Sequence, residues 1–201
     1  MGTPRTTALL DEWFGELDAS GLASKDKQQR WWVKDPTFDA YLKDQYEGDV
    51  QSALNGDLDG WLGDTLDTVA LILLLDQFTR NIYRDRPEMY FGDARALRAT
   101  DRLLAVGSHE ALPAHQRAFV YMPLMHAESM HRQQQSLTQF KNLAETAPDA
   151  ARAAMNGAYE YAKKHAEIIQ RFGRFPHRNW ILERTSTAEE IEFLNEPGSS
   201  F

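Results

Sequence analysis

The sequence predicts an all-α protein, a single domain over residues 1–201 in which about eight helices pack in antiparallel pairs. Apolar side chains recur at three- and four-residue spacing through most of the chain, which is the period of an amphipathic helix. β-Branched residues are few, and no convincing run alternates apolar and polar residues as a strand does. Short connections between the periodic segments favour antiparallel neighbours.

The helices predicted in the first half of the chain each have an apolar face and a residue that caps or ends them. They are a first helix that includes residues 11–17 and ends at Gly21, a short segment with Trp31 and Trp32 stopped by Asp35-Pro36, a helix from Thr37 to Asn55-Gly56, and a helix capped by Asp64 that runs to Phe78. The last of these contains the apolar run 69–75, which predicts the buried centre of a helix.

The helices of the second half are separated by glycine and proline, which end or restart the helical pattern. They are 93–106 ended by Gly107, 115–128 opened by Pro113 and interrupted by Pro123, 131–147, 149–172 ended by Gly173, and 188–194 with a capping box of Thr187 and Glu190. An irregular stretch, residues 174–184, separates the last two helices.

Composition excludes several classes of function. The chain has 22 basic and 30 acidic residues, a net charge of −8, so its surface repels nucleic acid overall and no nucleic-acid partner is predicted. The longest apolar run has seven residues, against the roughly 20 that span a bilayer, so no membrane segment is predicted. The first ten residues show no signal peptide, and cysteine is absent, which together favour a cytoplasmic location.

Common cofactor motifs are also missing from the sequence. The nucleophile elbow, the phosphate-binding loop and the glycine-rich dinucleotide motif do not occur, so no cofactor is predicted. The absence of cysteine removes thiolate nucleophiles and cysteine-bound metal centres. Any chemistry must therefore come from histidine, carboxylate and arginine side chains.

Three stretches resemble the bacterial DUF924 family of uncharacterised proteins. They are LLLDQFTRNIYR at 73–84, YMPLMHAE at 121–128 and RFGRFPHRN at 171–179, and the resemblance extends over nearly the whole chain. It implies a tetratricopeptide-like helical fold, but no reaction and no catalytic residues. Thr79 stands where the family pattern has proline, a difference expected to leave the helix straighter at this point.

The first stretch carries a charged stripe directly after the buried run. Asp76, Arg80 and Arg84 follow each other at intervals of four residues, so they share one face of a helix, and Gln77 and Asn81 lie beside them. Buried charge is costly unless it is paired, so these groups need partners. Two interpretations stay open: an internal Asp76–Arg80 ion pair that joins two helices, or a ligand-binding site.

The second stretch combines a proline with side chains that suit proton transfer. Pro123 predicts a kink, which can direct His126 and Glu128 towards a cavity. The alternative is a hydrogen-bonded core histidine beside an ordinary bend. Glu128 and His131 have the spacing of a di-iron ligand pair, but no second copy exists, so no metal site is predicted.

The third stretch places cationic and polar groups on irregular backbone, where functional residues concentrate. Gly173 and Phe175-Pro176 break the helix, and the groups that follow are Arg174, His177, Arg178 and Asn179. Their partner is either an internal carboxylate, for which Asp76, Glu128 and Glu183 are candidates, or an external anion. A structural clamp and a ligand site both fit the pattern.

Two functional hypotheses follow. In the first, the three stretches meet in an interhelical pocket that binds a carboxylate- or phosphate-bearing small molecule. There the binding groups are Arg80, Asn81, Arg84, Tyr121, Arg174, Arg178 and Asn179, and His126, His177, Asp76 and Glu128 are the candidates for catalysis. In the second, the chain is a helical scaffold for a peptide or protein, and the same residues form a structural network. A homodimer formed through the aromatic N-terminal helix is compatible with both.

Overall fold

The computed structural model describes residues 3–199, which contain helices and no strands. In chain order the helices are α1 (Pro4–Phe14), α2 (Lys25–Trp32), α3 (Pro36–Asn55), α4 (Thr65–Ile72), α5 (Thr79–Ile82), α6 (Asp93–Val106), α7 (Ala114–His126), α8 (Met130–Thr146), α9 (Asp149–Phe172) and α10 (Ala188–Leu194). A π-helical segment, Leu73–Phe78, joins α4 to α5. The predicted all-α fold is confirmed, whereas its tetratricopeptide-like arrangement stays a prediction.

Most helix ends lie where the predicted capping residues stand. The Asp64 carboxylate accepts a hydrogen bond from the Leu66 amide at 2.9 Å and so caps the start of α4. Gly107 and Gly173 end α6 and α9 with φ of 76° and 70°, a left-handed conformation that favours glycine. Thr187 and Glu190 form the predicted capping box of α10.

The predicted end of the first helix was wrong. Helix α1 begins at Pro4 and ends at Phe14, with Gly15 as its C-cap, whereas Gly21 lies in the following turn. The Gly21 carbonyl accepts a hydrogen bond from the His115 amide at 3.0 Å. A Cβ atom on Gly21 would lie only 2.5 Å from the Ala114 nitrogen, so this glycine permits close packing of the turn on α7 rather than ending a helix.

The predicted interruption at Pro123 was also wrong, because α7 continues through this proline to His126. Residues 118–125 are buried on all sides, so packing holds the helix together despite the missing amide hydrogen. The Thr100 hydroxyl of α6 donates a hydrogen bond to the Val120 carbonyl at 2.8 Å and supports the same stretch. Helix α7 is therefore a buried central helix whose last turn carries His126.

One apolar core connects α1 with the helices up to α9, and the run 69–75 lies at its centre. Trp13 and Phe14 of α1 pack on Phe119 of α7 within the same chain, with ring centroids 5.7 and 5.3 Å apart. Ile168 and Ile169 of α9 form a smaller cluster with Phe175 of the irregular stretch. Among residues 3–199, no helix combines the length and the apolar character that crossing a membrane requires.

Candidate functional site

The three sequence stretches meet at the C-terminal end of α7. The His126 Nδ1 donates a hydrogen bond to the Asp76 Oδ1 at 2.7 Å, and the Arg178 Nη2 donates one to the His126 carbonyl at 3.0 Å. We call the group of Asp76, Arg80, Tyr90, Asp93, His126 and Arg178 the central polar cluster. Its geometry confirms that the stretches come together, as the need to pair buried charge predicts.

Asp76 lies in the π-helical segment, directly after the buried run. Its side chain is only 1% exposed, so its charge is neutralised by neighbouring groups rather than by water. The Thr79 hydroxyl donates to the Leu75 carbonyl at 2.9 Å, and the chain stays helical through Thr79 into α5. Single π-helical turns within α-helices are often found at functional sites.

Two arginines share two carboxylates within the cluster. The Arg80 Nη1 lies 3.2 Å from the Asp76 Oδ1, and its Nη2 lies 3.0 Å from the Asp93 Oδ1. The Asp93 Oδ2 also accepts a long hydrogen bond, 3.4 Å, from the Arg178 Nη1. The predicted Asp76–Arg80 ion pair is therefore present, but Asp93 is a second, unpredicted partner.

Aromatic rings surround the Arg178 guanidinium. Its central carbon lies 4.7 Å from the ring centroid of Tyr90 and 4.5 Å from that of Phe175, and Arg80 lies 5.7 Å from Tyr90. The rings stabilise the cations but keep water away from them. Burial, together with the nearby Arg80 charge, lowers the pKa of Arg178 below its ordinary value.

Gly92 fixes the position of Asp93. A Cβ atom on Gly92 would lie 2.0 Å from the Leu75 carbonyl oxygen, so only glycine lets the start of α6 approach the π-helical segment this closely. Asp93 is the first residue of α6, where a carboxylate interacts favourably with the helix dipole. This approach places the Asp93 carboxylate opposite Arg80 and Arg178.

Asp76 and His126 form an acid–base pair. Burial by itself would raise the pKa of Asp76, but the Arg80 charge and the interactions with His126 and Gln77 together more than offset this and hold it below its usual range. Burial lowers the pKa of His126, and Arg80 lowers it further against the opposing effect of Asp76. At neutral pH, His126 is therefore an uncharged imidazole whose Nδ1 hydrogen is bound to an ionised carboxylate, which leaves its Nε2 lone pair unprotonated.

Two further histidines lie near His126. The ring centroid of His165 is 6.0 Å from that of His126, and Phe175 lies 5.5 Å from His165 and 5.6 Å from His177. Burial lowers the pKa of His165 to about 3 and that of His177 to about 4. Both rings are thus uncharged at neutral pH, like that of His126.

Glu128 and Arg184 attach the irregular stretch to the end of α7. The Glu128 carboxylate accepts two hydrogen bonds from Arg184, at 2.7 and 3.0 Å, and one from the Phe175 amide at 2.8 Å. Burial by itself would raise the pKa of Glu128, but the hydrogen bonds from Arg184 and Phe175 and the charges of Arg184 and Arg178 together outweigh it, so the net shift is downward. Because all these contacts are internal, Glu128 acts here as a clamp rather than as a group directed at His126.

Several residues predicted for the site lie elsewhere. Asn81 of α5 and Arg84, which follows the end of α5, both bind the Asp39 carboxylate of α3, at 2.7 to 3.0 Å. Tyr121 is buried against Phe140, with ring centroids 5.7 Å apart. The structure thus brings together only part of the predicted set.

Arg174 and Asn179 also leave the central cluster, and both contact Glu190 of α10. Arg174 donates two hydrogen bonds to the Glu190 carboxylate, at 2.7 and 2.8 Å, and the Asn179 amide donates one at 3.2 Å. The Arg174 hydrogen bond lowers the pKa of Glu190 to about 2. The sequence marks Glu190 only as a capping residue, and Arg174 and Arg178 pair with Glu190 and Asp93 rather than with the candidate partner Glu183.

Sequence analysis missed Tyr90, Asp93, His165 and Arg184. Asp93 looks like an ordinary acidic residue in the first turn of an amphipathic helix, and Tyr90 has no neighbouring motif. His165 lies within the long helix predicted over 149–172, where no motif distinguishes it. In the described part of the chain, no three histidine or carboxylate side chains are grouped so that they could hold a metal ion.

Two cavities lie away from the central polar cluster. One, of about 450 Å³, is lined by the C-terminal half of α9, by Phe193 of α10 and by Pro197 and Gly198. The other, of about 280 Å³, lies between the turn at residues 18–21 and the ends of α7 and α8. The Arg- and His-lined pocket expected from the sequence is neither of these two. The cluster itself is partly exposed, and the His126 side chain is 15% exposed.

Comparisons with other proteins agree with the fold. One solved structure, a protein of unknown function, ATU0120, from Agrobacterium tumefaciens, is 32% identical, with a TM-score of 0.79 over 95% of this chain and 97% of that one. A comparison with curated proteins finds no match. The family model described as a bacterial protein of unknown function, DUF924, matches residues 9–198. The chain therefore belongs to the DUF924 family of bacterial proteins.

Proposed function

We propose that the central polar cluster binds a small molecule that carries a carboxylate or phosphate group and transfers a proton to or from it. The observation that carries this proposal is the incomplete pairing of Arg178. Its side chain is only 8% exposed, its one carboxylate contact is long and shared with Arg80, and its Nε has no hydrogen-bond partner among residues 3–199. A buried cation in this state is stabilised by an added anion.

Arg80 and Arg178 supply the binding part of this function. Both guanidiniums contact the ring of Tyr90 and the carboxylate of Asp93, so their charges are concentrated at one place. A planar guanidinium matches the two oxygens of a carboxylate or phosphate. An oxyanion bound here would lie within a few ångströms of His126, whose carbonyl already contacts Arg178.

His126 supplies the chemical part. Asp76 holds the Nδ1 hydrogen, so the Nε2 lone pair is available as a general base, in the manner of histidine–carboxylate pairs in enzymes. The lowered pKa keeps the imidazole unprotonated at neutral pH, which is the form a base requires. In this proposal Asp76 orients His126, and Glu128 and His177 do not react.

A thermal shift series tests the binding. The wild-type protein is screened against small mono- and dicarboxylates and phosphate monoesters. At 100 times its dissociation constant, a ligand adds about 2.7 kcal/mol to the unfolding free energy, which raises the melting temperature by roughly 5 to 10 °C in a domain of this size. Arg178→Ala should remove the shift. Arg132→Gln is the matched control, because Arg132 pairs with Asp101 outside the cluster, and it should keep the shift.

Proton transfer is tested on each anion that binds. Incubation in D₂O, followed by proton NMR of the ligand, detects exchange of a hydrogen on the carbon beside its carboxylate. His126→Asn should stop the exchange while the thermal shift remains. If no anion in the panel raises the melting temperature of the wild type, the proposed function is wrong.

A second candidate is a helical scaffold for a peptide or protein, in which the cluster only stabilises the fold. The pairing of Arg80, Arg174, Arg178 and Arg184 each with an internal carboxylate favours it. Under this hypothesis the cluster is sealed, and Arg178→Ala lowers the unfolding free energy without changing the response to any anion. The same thermal shift series therefore separates the two candidates.

A further inference from the structure

The central polar cluster contains one carboxylate that is less firmly held than the rest. Asp93 is 25% exposed, whereas Asp76 is 1% exposed, although both carboxylates pair with Arg80. The Asp93 Oδ1 and the Arg80 Nη2 lie 3.0 Å apart, yet neither atom has an aligned hydrogen-bond partner among residues 3–199. The contact of Asp93 with Arg178 is stretched to 3.4 Å. Asp93 is thus an ion-pair partner with poor hydrogen-bond geometry.

We propose that Asp93 is a built-in substitute for the ligand, an exchangeable carboxylate that occupies the oxyanion position between Arg80 and Arg178 and leaves when an anion binds. This inference rests on the proposed function and adds a regulatory contact to it. The carboxylate moves by rotation of its own side chain towards solvent. The backbone cannot follow, because Gly92 holds the start of α6 against the Leu75 carbonyl.

The charge balance of the cluster defines the ligand class. With Asp93 in place, the two arginine charges are balanced by the charges of Asp76 and Asp93, while His126 is neutral. When the Asp93 side chain has turned out, one positive charge is uncompensated. The site then fits one singly charged oxyanion, which makes a monocarboxylate a better match than a polyphosphate.

The exchange also explains how the protein holds two adjacent arginines without a ligand. Arg80 and Arg178 both lie against the ring of Tyr90, and each lowers the stability of the other charge. Asp93 compensates this repulsion in the free protein. An external anion must displace the Asp93 carboxylate in order to bind, so the apparent affinity of the site for that anion is reduced.

Removal of the Asp93 charge gives the direct test. Acetate and inorganic phosphate are titrated into the wild type, Asp93→Asn and Asp101→Asn, with binding followed by the histidine side-chain resonances in NMR spectra. Asp93→Asn should bind acetate at least ten times more tightly than the wild type, and phosphate with a smaller gain. Asp101→Asn removes the same formal charge from an ion pair outside the cluster, so it should leave the affinity unchanged.

Two results would overturn the exchange. If the wild type binds acetate and Asp93→Asn binds it equally or more weakly, Asp93 is not a substitute for the ligand, although the proposed function survives. If neither protein binds any anion, both proposals fail. The double variant Asp93→Asn/Arg178→Lys should lose the gain, which shows that the gain acts through Arg178.

A measurement on the wild type covers the case in which Asp93→Asn does not fold. The side-chain carboxyl carbon of Asp93 is observed by carbon-13 NMR during the acetate titration. Its resonance should move towards that of a solvent-exposed aspartate as the site fills, whereas the Asp101 resonance should stay constant. An Asp93 resonance that does not change while acetate binds would contradict the exchange.

Discussion

Arg174 and Arg178 stand four residues apart in one motif but have opposite environments. Arg174 is 30% exposed and forms two short hydrogen bonds with a carboxylate of its own, that of Glu190. Arg178 is 8% exposed and has only a long contact with a carboxylate that it shares with Arg80. Arg174, the outer arginine, is partly solvated and yet fully paired with a carboxylate. Arg178, the inner arginine, is shielded from water and yet only partly paired.

This difference separates a structural ion pair from a candidate site. A bidentate arginine–carboxylate pair satisfies both partners and leaves no reason for a ligand. A buried arginine with an unused Nε hydrogen retains capacity for another acceptor. Both residues lie on the same irregular stretch, so the location of a residue on a loop does not by itself identify function.

The largest expected effect comes from Asp76, the carboxylate at the centre of the inner region. Asp76→Ala removes the main partner of Arg80 and the hydrogen-bond acceptor of His126. Breaking a buried ion pair in this way costs about 3–5 kcal/mol of unfolding free energy. Urea denaturation of Asp76→Ala and Glu190→Gln measures the difference between the regions. Equal losses in the two variants would remove the distinction between inner and outer pairing.

A second prediction concerns how the unfolding free energy changes with pH in the inner and outer regions. In the unfolded chain the histidine pKa is about 6.5, whereas in the folded protein it is about 3 for His165 and about 4 for His177. The unfolded state therefore binds protons first as the pH falls, and each histidine removes up to about 3 kcal/mol of stability between pH 6.5 and pH 4. Glu190, whose pKa is about 2, stays ionised throughout this range.

Unfolding free energies measured by urea from pH 8 to pH 4 test this directly. Stability should be constant above pH 7 and fall steeply below 6.5. His177→Asn should lower the stability at pH 8 and flatten the fall, because it removes one of the titrating groups. A wild-type protein that is as stable at pH 4.5 as at pH 7.5 would show that these histidines are not buried as described.

The sequence predicts helix ends better than it predicts the site, and the reason is physical. Gly107, Gly173 and the capping box of α10 act through local backbone geometry, so a few adjacent residues are sufficient to recognise them. The prediction that Gly21 ends the first helix failed because the role of this glycine depends on α7, which lies more than 90 residues away in the sequence. The π-helical segment at 73–78 is invisible in the apolar spacing, since a change in hydrogen-bond register leaves that spacing unchanged.

The need to pair buried charges was sufficient to predict that the three stretches meet. It was not sufficient to predict which carboxylate pairs with which arginine. Buried carboxylates and arginines must be paired, which is a general argument and applies to Asp76 and Arg80 after the buried run and to Arg178 on the irregular stretch. Which carboxylate pairs with which arginine depends on three-dimensional approach. Asp93 reaches the cluster only because Gly92 has no side chain, and the sequence gives no sign of that contact.

The smallest expected loss of stability comes from a substitution in the outer region, at the cap of α10, and it tests whether this region is independent of the central polar cluster. Thr187→Ala removes the hydroxyl that accepts a hydrogen bond from the Glu190 amide, and so weakens the cap of α10 that positions the partner of Arg174. Loss of such a cap costs about 1 kcal/mol. The His126 resonances and its response to acetate should stay as in the wild type, because the central polar cluster does not include α10. Chemical shift changes at His126 in this variant would show that the two regions are coupled, and the inner site would then extend to Glu190.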